Sequence, residues 1–285
     1  MSELGATRIG PRVFQWGERT FVMGILNVTP DSFSGDGLLA TDDAVAAALA
    51  QAVHMADEGA DLLDIGGEST RPQHAPVEEA EELRRTIPVV RAVREALPSM
   101  PLTIDTTKAA VAQAAIDAGA DAINDIWGVA TDNPLAQVAA SRGVPLILMH
   151  NRVEARYGDV MAEVIADLGA AVKRAVRAGV PDANLIVDPG IGFGKTAEQN
   201  LEVLRRLAGM RSLGRPILLG TSRKSTLGKV LDLPADQRLE ATLATTALGI
   251  GAGADIVRVH DVLGNVRAAR MADAIVRGSW REGTA

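Results

Sequence analysis

Where its apolar runs end, this sequence repeatedly places a residue that can donate a hydrogen bond, accept one or carry charge. Asp64 sits in the run Leu62-Leu63-Asp64-Ile65, which opens into Gly66-Gly67-Glu68-Ser69-Thr70-Arg71-Pro72. The glycines let backbone N–H groups approach a ligand closely, and Thr70 and Arg71 can bond phosphate oxygens, the arginine through a bidentate fork. Asn27, Asp105, Asn124 with Asp125, Met149 with His150, Asp188, Ser222 through Lys224, and Arg258 with His260 close the other runs in the same way.

Sorted by chemistry, Asp64, Asp105, Asn124 and Asp188 offer many acceptors and a few donors, a set that suits a heterocycle with an amidine- or guanidine-like edge. Arg71, Lys224, Arg258 and His260 are cations gathered by an acidic protein. Arg258 and His260 alternate with Val259, point to one side of a strand, and read as an anion clamp. Phe33 and Phe193 lie in glycine-containing loops, where an aromatic suggests stacking on a flat ligand. The loop Asp188-Pro189-Gly190-Ile191-Gly192-Phe193-Gly194-Lys195 resembles a phosphate-binding glycine run but lacks the full P-loop signature. Thr221-Ser222-Arg223-Lys224-Ser225 leads into a short helix whose N-terminus, with the Ser222 hydroxyl, suits a carboxylate. His54, His74, His150 and His260 show no paired metal-ligand spacing.

These groups need elements that hold them on one rim. Strands are expected at about 21–27, 61–65, 101–105, 121–125, 144–149, 184–188, 216–220 and 255–259. Ala-rich helices are expected near 42–58, 77–96, 107–118, 133–142, 159–179, 197–209, 235–252 and 261–277. Gly59-Ala60-Asp61, Gly119-Ala120-Asp121 and Gly253-Ala254-Asp255 mark helix-to-strand transitions, with glycine in the left-handed position that ends a helix. Eight short strands alternating with helices predict a (β/α)8 TIM barrel of class α/β, whose chemistry lies at the C-terminal strand ends. A doubly wound open sheet is the alternative. Residues 8–20 predict an N-terminal β-hairpin, with Gly17 in its turn, plugging the barrel's N-terminal end ahead of a barrel at about 21–277. No linker or low-complexity stretch divides residues 1–285, so one domain is expected.

Composition bounds the partners. At 47% apolar residues the chain can bury a large core, and a formal charge of −7 argues against nucleic acid or an anionic membrane. The absence of cysteine excludes disulfides, thiolate catalysis and zinc–thiolate sites. With no apolar signal core and no run of spanning length, a soluble cytoplasmic protein is expected.

In order and spacing, Asn27-Val28-Thr29-Pro30-Asp31-Ser32-Phe33, Asp64 through Pro72, Asp105-Thr106-Thr107-Lys108, Asn124-Asp125, Asp188 through Lys195, Ser222-Arg223-Lys224 and Arg258-Val259-His260-Asp261 resemble the dihydropteroate synthase family, from residue 20 to about 275. The resemblance implies a TIM barrel, a homodimer and a transferase. The implied reaction is condensation of 6-hydroxymethyl-7,8-dihydropterin diphosphate with 4-aminobenzoate to 7,8-dihydropteroate and diphosphate in folate biosynthesis. On that reading Asp105, Asn124, Met149, Asp188, Gly192 and Lys224 bind the pterin. Asn27, Thr70, Arg71, Arg258 and His260 bind the diphosphate, with Mg2+ expected on Asn27. Phe33, Pro72, Phe193 and Ser222 surround the aminobenzoate, where sulfonamides would compete. Lys224, Asp105, Asp188, Arg258 and His260 form the implied catalytic set, and no residue is an obvious covalent nucleophile.

Two segments depart from the family pattern, Ser34-Gly35-Asp36-Gly37 and Asn151-Arg152, and both bear on loop closure. The rival functions are a corrinoid-linked pterin methyltransferase domain, which needs no diphosphate clamp, and a non-catalytic pterin-binding paralogue. The cations and aromatic loops argue against both.

Overall fold

The structure, a computed structural model, describes residues 4–28, 41–68, 77–278 and 280. Strands β1 (Ala6–Ile9) and β2 (Arg12–Gln15) form the expected antiparallel hairpin, with Ile9 opposite Arg12. Its turn is Gly10-Pro11, not Gly17: Gly10 has φ +54°, and proline at the next position has no N–H to leave unpaired. Gly17 instead turns the chain toward the barrel.

Eight parallel strands follow: β3 (Phe21–Asn27), β4 (Leu62–Gly66), β5 (Leu102–Asp105), β6 (Ala122–Asp125), β7 (Leu146–Met149), β8 (Leu185–Asp188), β9 (Leu218–Leu219) and β10 (Ile256–Val259). They pair in the order β8-β7-β6-β5-β4-β3-β10-β9, and a parallel bridge from Val187 to Ile217 brings β8 back to β9. The sheet therefore curls into a nearly closed (β/α)8 barrel rather than an open doubly wound sheet. Helices α1 (Thr41–Asp57), α2 (Glu79–Ala96), α3 (Ala109–Ala118), α4 (Pro134–Arg142), α5 (Val160–Arg177), α6 (Ala197–Arg205), α7 (Ser225–Leu231) and α8 (Leu239–Ala252) occupy the crossovers, and α9 (Val262–Val276) follows β10. The helix expected to run to residue 209 ends at Arg205, and a 3-10 segment carries on to Leu213.

Strand residues alternate between two cores, as a two-residue period requires. Val22, Leu26, Leu63, Ile65, Leu102, Ile104, Leu146, Leu148, Val257 and Val259 face the helices. Met23, Leu62, Ala122, Ile147, Ile186, Leu218 and Ile256 face inward, and there they meet Ile9, Phe14, Trp16 and Phe21. The hairpin thus closes the N-terminal end of the barrel with aromatic rings, Phe14 and Phe21 lying 4.7 Å apart centroid to centroid.

The three Gly-Ala-Asp repeats have a second use at this end. Gly59, Gly119 and Gly253 take φ of +97°, +117° and +105° as helix-ending residues. Two residues on, each aspartate accepts a backbone N–H of a neighbouring strand or its lead-in: Asp61 from Val22 at 2.8 Å, Asp121 from Leu102 at 2.9 Å, Asp255 from Ile217 at 3.0 Å. Each repeat therefore ends a helix and satisfies the start of the adjacent strand.

Candidate active site

The inward apolar layer and the polar rim are one pleat apart. Two residues beyond Leu62, Ala122, Ile186 and Ile256 stand Asp64, Asn124, Asp188 and Arg258, and beyond Ile147 and Leu218 stand Met149 and Gly220. The same side chain period that packs the barrel floor aims these residues into its mouth. Asp105 joins them beside Asn124, and Met149 is in register with Asp188.

Arg258 is the hub. Its Nε donates to Asp64 Oδ2 at 2.5 Å and its Nη2 to Asp105 Oδ2 at 2.7 Å. Asp64 also accepts from Asn124 Nδ2 at 2.9 Å and from the Thr103 hydroxyl. Asp64 is therefore fully buried and bonded within the protein, so it orients Arg258 and Asn124 rather than facing a ligand. Asp105 differs: its Oδ1 is buried with no hydrogen-bond partner among the described residues. An orphaned buried acceptor costs about 1–3 kcal/mol and marks a place where a donor from outside the chain belongs. Burial raises the Asp105 carboxyl above the usual carboxylate range. Arg258 opposes the rise, but one guanidinium is shared by two carboxylates, and Asp64 adds to it.

This arrangement modifies the expected anion clamp. Arg258 points into the barrel and is largely engaged by Asp64 and Asp105, leaving Nη1 without a hydrogen-bond partner among the described residues. His260 lies at the rim, where its Nδ1 is 2.9 Å from Ser222 Oγ and its backbone N–H donates to the same oxygen at 3.1 Å. Ser222 is thus paired with His260 rather than capping α7, whose N-cap residue is Lys224. Between Ser222 and Lys224, Arg223 has φ +57°, a conformation unusual for a side-chain-bearing residue, and its guanidinium bonds Asp261 at 2.5 and 3.0 Å.

Lys224 and Asp188 face each other over Gly220. A Cβ on Gly220 would lie 3.8 Å from Lys224 Nζ, 3.8 Å from Arg258 Cβ and 4.0 Å from Asp188 Oδ2. The absent side chain keeps that space open. Asp188 Oδ1 accepts from Gly190 N at 2.7 Å, and burial raises its carboxyl against the pull of Lys224. Lys224 Nζ donates to Ile191 O and stands 4.5 Å from the Phe193 ring centroid, a cation–π contact. Burial lowers the lysine to about 8, with Asp188 opposing. Gly192, at φ +83°, brings its backbone against the Lys224 stem.

Asp105, Asn124, Met149, Asp188, Gly192, Phe193, Ser222, Lys224, Arg258 and His260 thus gather at one barrel mouth, with Asn27 at the end of β3. Phe33, Thr70, Arg71 and Pro72, with the Ser34–Gly37 departure, lie outside the described residues. The Asn151-Arg152 departure is inside them: Arg152 Nη2 pairs with Asp167 at 2.8 Å and Nη1 with Glu163 at 2.7 Å. The positioning role of Asp64 was not legible in sequence, since any strand-end carboxylate reads as a ligand; its burial and three protein donors separate it.

Residues 23–260 match the pterin binding enzyme family. A dihydropteroate synthase from Clostridium beijerinckii is 52% identical over 271 residues, spanning 95% of this chain and 99% of that one. The chain belongs to the dihydropteroate synthase family. Among solved structures, a dihydropteroate synthase from Clostridium difficile determined in the presence of pteroic acid superposes with a TM-score of 0.89 at 49% identity, covering 93% of this chain and 99% of that chain. The Xanthomonas albilineans dihydropteroate synthase with 4-aminobenzoic acid gives 0.89 at 40% identity, covering 95% and 97%.

Proposed function

We infer that this chain condenses 6-hydroxymethyl-7,8-dihydropterin diphosphate with 4-aminobenzoate, giving 7,8-dihydropteroate and diphosphate. The observation that carries the site reading is the buried, partnerless Oδ1 of Asp105 beside Asn124, Asp188 and Lys224. A pterin edge supplies the missing N–H donors, and the acceptors of Asp188 and Asn124 take the rest. Lys224 donates to a ring nitrogen or carbonyl. Met149 and Gly192 line the same slot.

The aniline is a neutral nucleophile that needs little base assistance; the barrier is loss of a polyanion. The C–O bond between the pterin methylene and the diphosphate breaks with its electron pair leaving on oxygen. Positive charge then spreads over the pterin, where Asp105 and Asp188 stabilise it. The aminobenzoate nitrogen forms the new C–N bond and releases its proton to solvent or to the departing diphosphate. Arg258 through Nη1, His260, Thr70 and Arg71 bind the leaving group. Phe193, Phe33 and Pro72 flank the aryl ring, and Ser222 faces its carboxylate, so a sulfonamide competes there.

Mg2+ fits this scheme as an ion carried by the diphosphate. Asn27, half-buried at the end of β3, is the residue that would hold the ion, through its amide oxygen. When bound it would neutralise charge on the leaving group. A homodimer is proposed from the apolar residues Leu248 on α8 and Met271 and Ile275 on α9, which are 75%, 62% and 71% exposed on two helices packed side by side. No described helix is long and apolar enough to cross a membrane, and a cytoplasmic setting is proposed.

Incubating the purified protein with the pterin diphosphate, 4-aminobenzoate and Mg2+ should yield dihydropteroate and diphosphate in equal amounts. Failure to form dihydropteroate under conditions where a related synthase does so would overturn the reading.

A further inference from the structure

We infer that Lys195 is a positioning residue whose ammonium group holds the Gly190–Gly194 loop, and with it the Phe193 ring, against the substrate site. The inference rests on the placement of aminobenzoate beside Phe193 proposed above. In sequence the loop resembles a phosphate-binding glycine run, but in the structure the lysine that ends it turns inward. Its Nζ donates to Gly190 O at 3.0 Å and to Phe193 O at 3.1 Å, and lies 3.0 Å from His150 Nδ1. An ammonium has three N–H donors, and all three find acceptors.

The third acceptor defines a tautomer. His150 Nδ1 can accept only if its proton is on Nε2, which lies 3.1 Å from Asp167 Oδ2. Burial lowers the His150 pKa, so the ring stays neutral and can accept. Asp167 is in turn held by Arg152 Nε at 3.1 Å and Nη2 at 2.8 Å. A chain of contacts therefore runs from Arg152 through Asp167 and His150 to Lys195 and the loop.

The loop has little slack of its own. A Cβ on Gly190 would lie 1.8 Å from His150 O, and one on Gly194 would lie 2.2 Å from Arg152 O. Tyr157 OH donates to Gly194 O at 2.8 Å. From the opposite side Lys224 takes Ile191 O and faces the Phe193 ring. Two ammonium groups thus hold the carbonyls of residues 190, 191 and 193, and Phe193 is gripped by its carbonyl from one and by its ring from the other. The charged or titratable groups around Lys195 are Asp188, Lys224, Arg152, Asp167 and His150. Burial lowers the lysine to about 7, against the pull of Asp188. As pH rises through that value the group loses its charge and one of three donor protons, so its three acceptors can no longer all be satisfied and its hold on the loop weakens.

In steady-state assays at saturating pterin diphosphate, Lys195→Met should raise the aminobenzoate KM about tenfold or more, while pterin affinity stays within about threefold of the parent. The parent's aminobenzoate KM should begin to climb near pH 7, and in the variant the climb should begin only near pH 8 or above, where Lys224 loses its own proton. A KM at the parent value, equal losses for both substrates, or a limb that still begins near pH 7 in the variant would overturn the proposal. Phe193→Ala separates the two readings: if it leaves the aminobenzoate KM unchanged the aryl pocket is misplaced, whereas a raised KM in Phe193→Ala but not in Lys195→Met rejects the lysine's role. Should the methionine variant not fold, amide exchange in the parent decides. Protection of residues 190–194 should already fall between roughly pH 6 and 7.5, below the range where Lys224 titrates, by more than the intrinsic rate explains, and constant protection factors over that window would reject the proposal.

Discussion

Arg258 and Asp105 are joined by a 2.7 Å hydrogen bond that leaves the other Asp105 oxygen buried and, among the described residues, unpartnered. The arginine fixes the carboxylate's orientation while its remaining acceptor is kept for a ligand. Asp105→Ala should therefore lose both the ligand bond and the grip on Arg258. We expect pterin affinity to fall by at least the about 1–3 kcal/mol of one unpaired buried donor. Calorimetry checks it; parent-like affinity would reject Asp105 as a pterin ligand.

Asp64 should behave differently, because its partners all belong to the protein. Asp64→Ala strands the Arg258 guanidinium beside a raised Asp105 and frees Asn124. Removing one member of a buried pair typically costs about 3–5 kcal/mol, so the urea midpoint should drop markedly. A variant as stable as the parent would mean that the Asp64 network is slack.

Arg258→Ala should slow turnover steeply, and pterin lacking its diphosphate should also bind more weakly, since Asp64 and Asp105 lose their shared cation. The sequence alone suggests loss confined to the diphosphate. Unchanged affinity for the bare pterin would restore that simpler clamp.

Lys224 supplies a pH test. Its folded pKa of about 8 lies below the ordinary lysine value, so pterin affinity should decline as pH rises through 8 and the donor proton is lost. Stability should move the other way. Between about pH 8 and 10 the unfolded chain binds more protons at this site than the folded one, so the ligand-free protein gains stability there. Lys224→Met should reduce both slopes; an unaltered affinity profile would exclude Lys224 as the donor.

Chelation of Mg2+ should suppress turnover, and Asn27→Ala should raise the Mg2+ concentration needed for half-maximal rate. Full activity in excess chelator would remove the ion from the scheme. Phe33→Leu or Pro72→Ser should weaken sulfonamide inhibition more than it raises the aminobenzoate KM, because the drug's larger substituent reaches beyond the substrate's envelope. Inhibition constants equal to the parent's in both variants would place the aryl pocket elsewhere.

The barrel and the inventory of its mouth were legible in one dimension. Strand periodicity puts Asp64, Asn124, Asp188 and Arg258 each two residues past an apolar inward residue, and glycine-terminated helices mark the crossovers. These are local patterns, set by backbone geometry within a few residues. Which group pairs with which is not local. Arg258 is 194 residues from Asp64 and 153 from Asp105, and only closure of β10 onto β3 brings them together. The same holds for Ser222 with His260, for Lys195 turned in toward His150, and for the Gly-Ala-Asp aspartates bonded to neighbouring strands. Sequence decided which residues reach the rim, because a strand's pleat is a property of the chain. Tertiary structure decided which of them remain open to a ligand, because burial and the satisfaction of each polar atom depend on neighbours that the fold supplies.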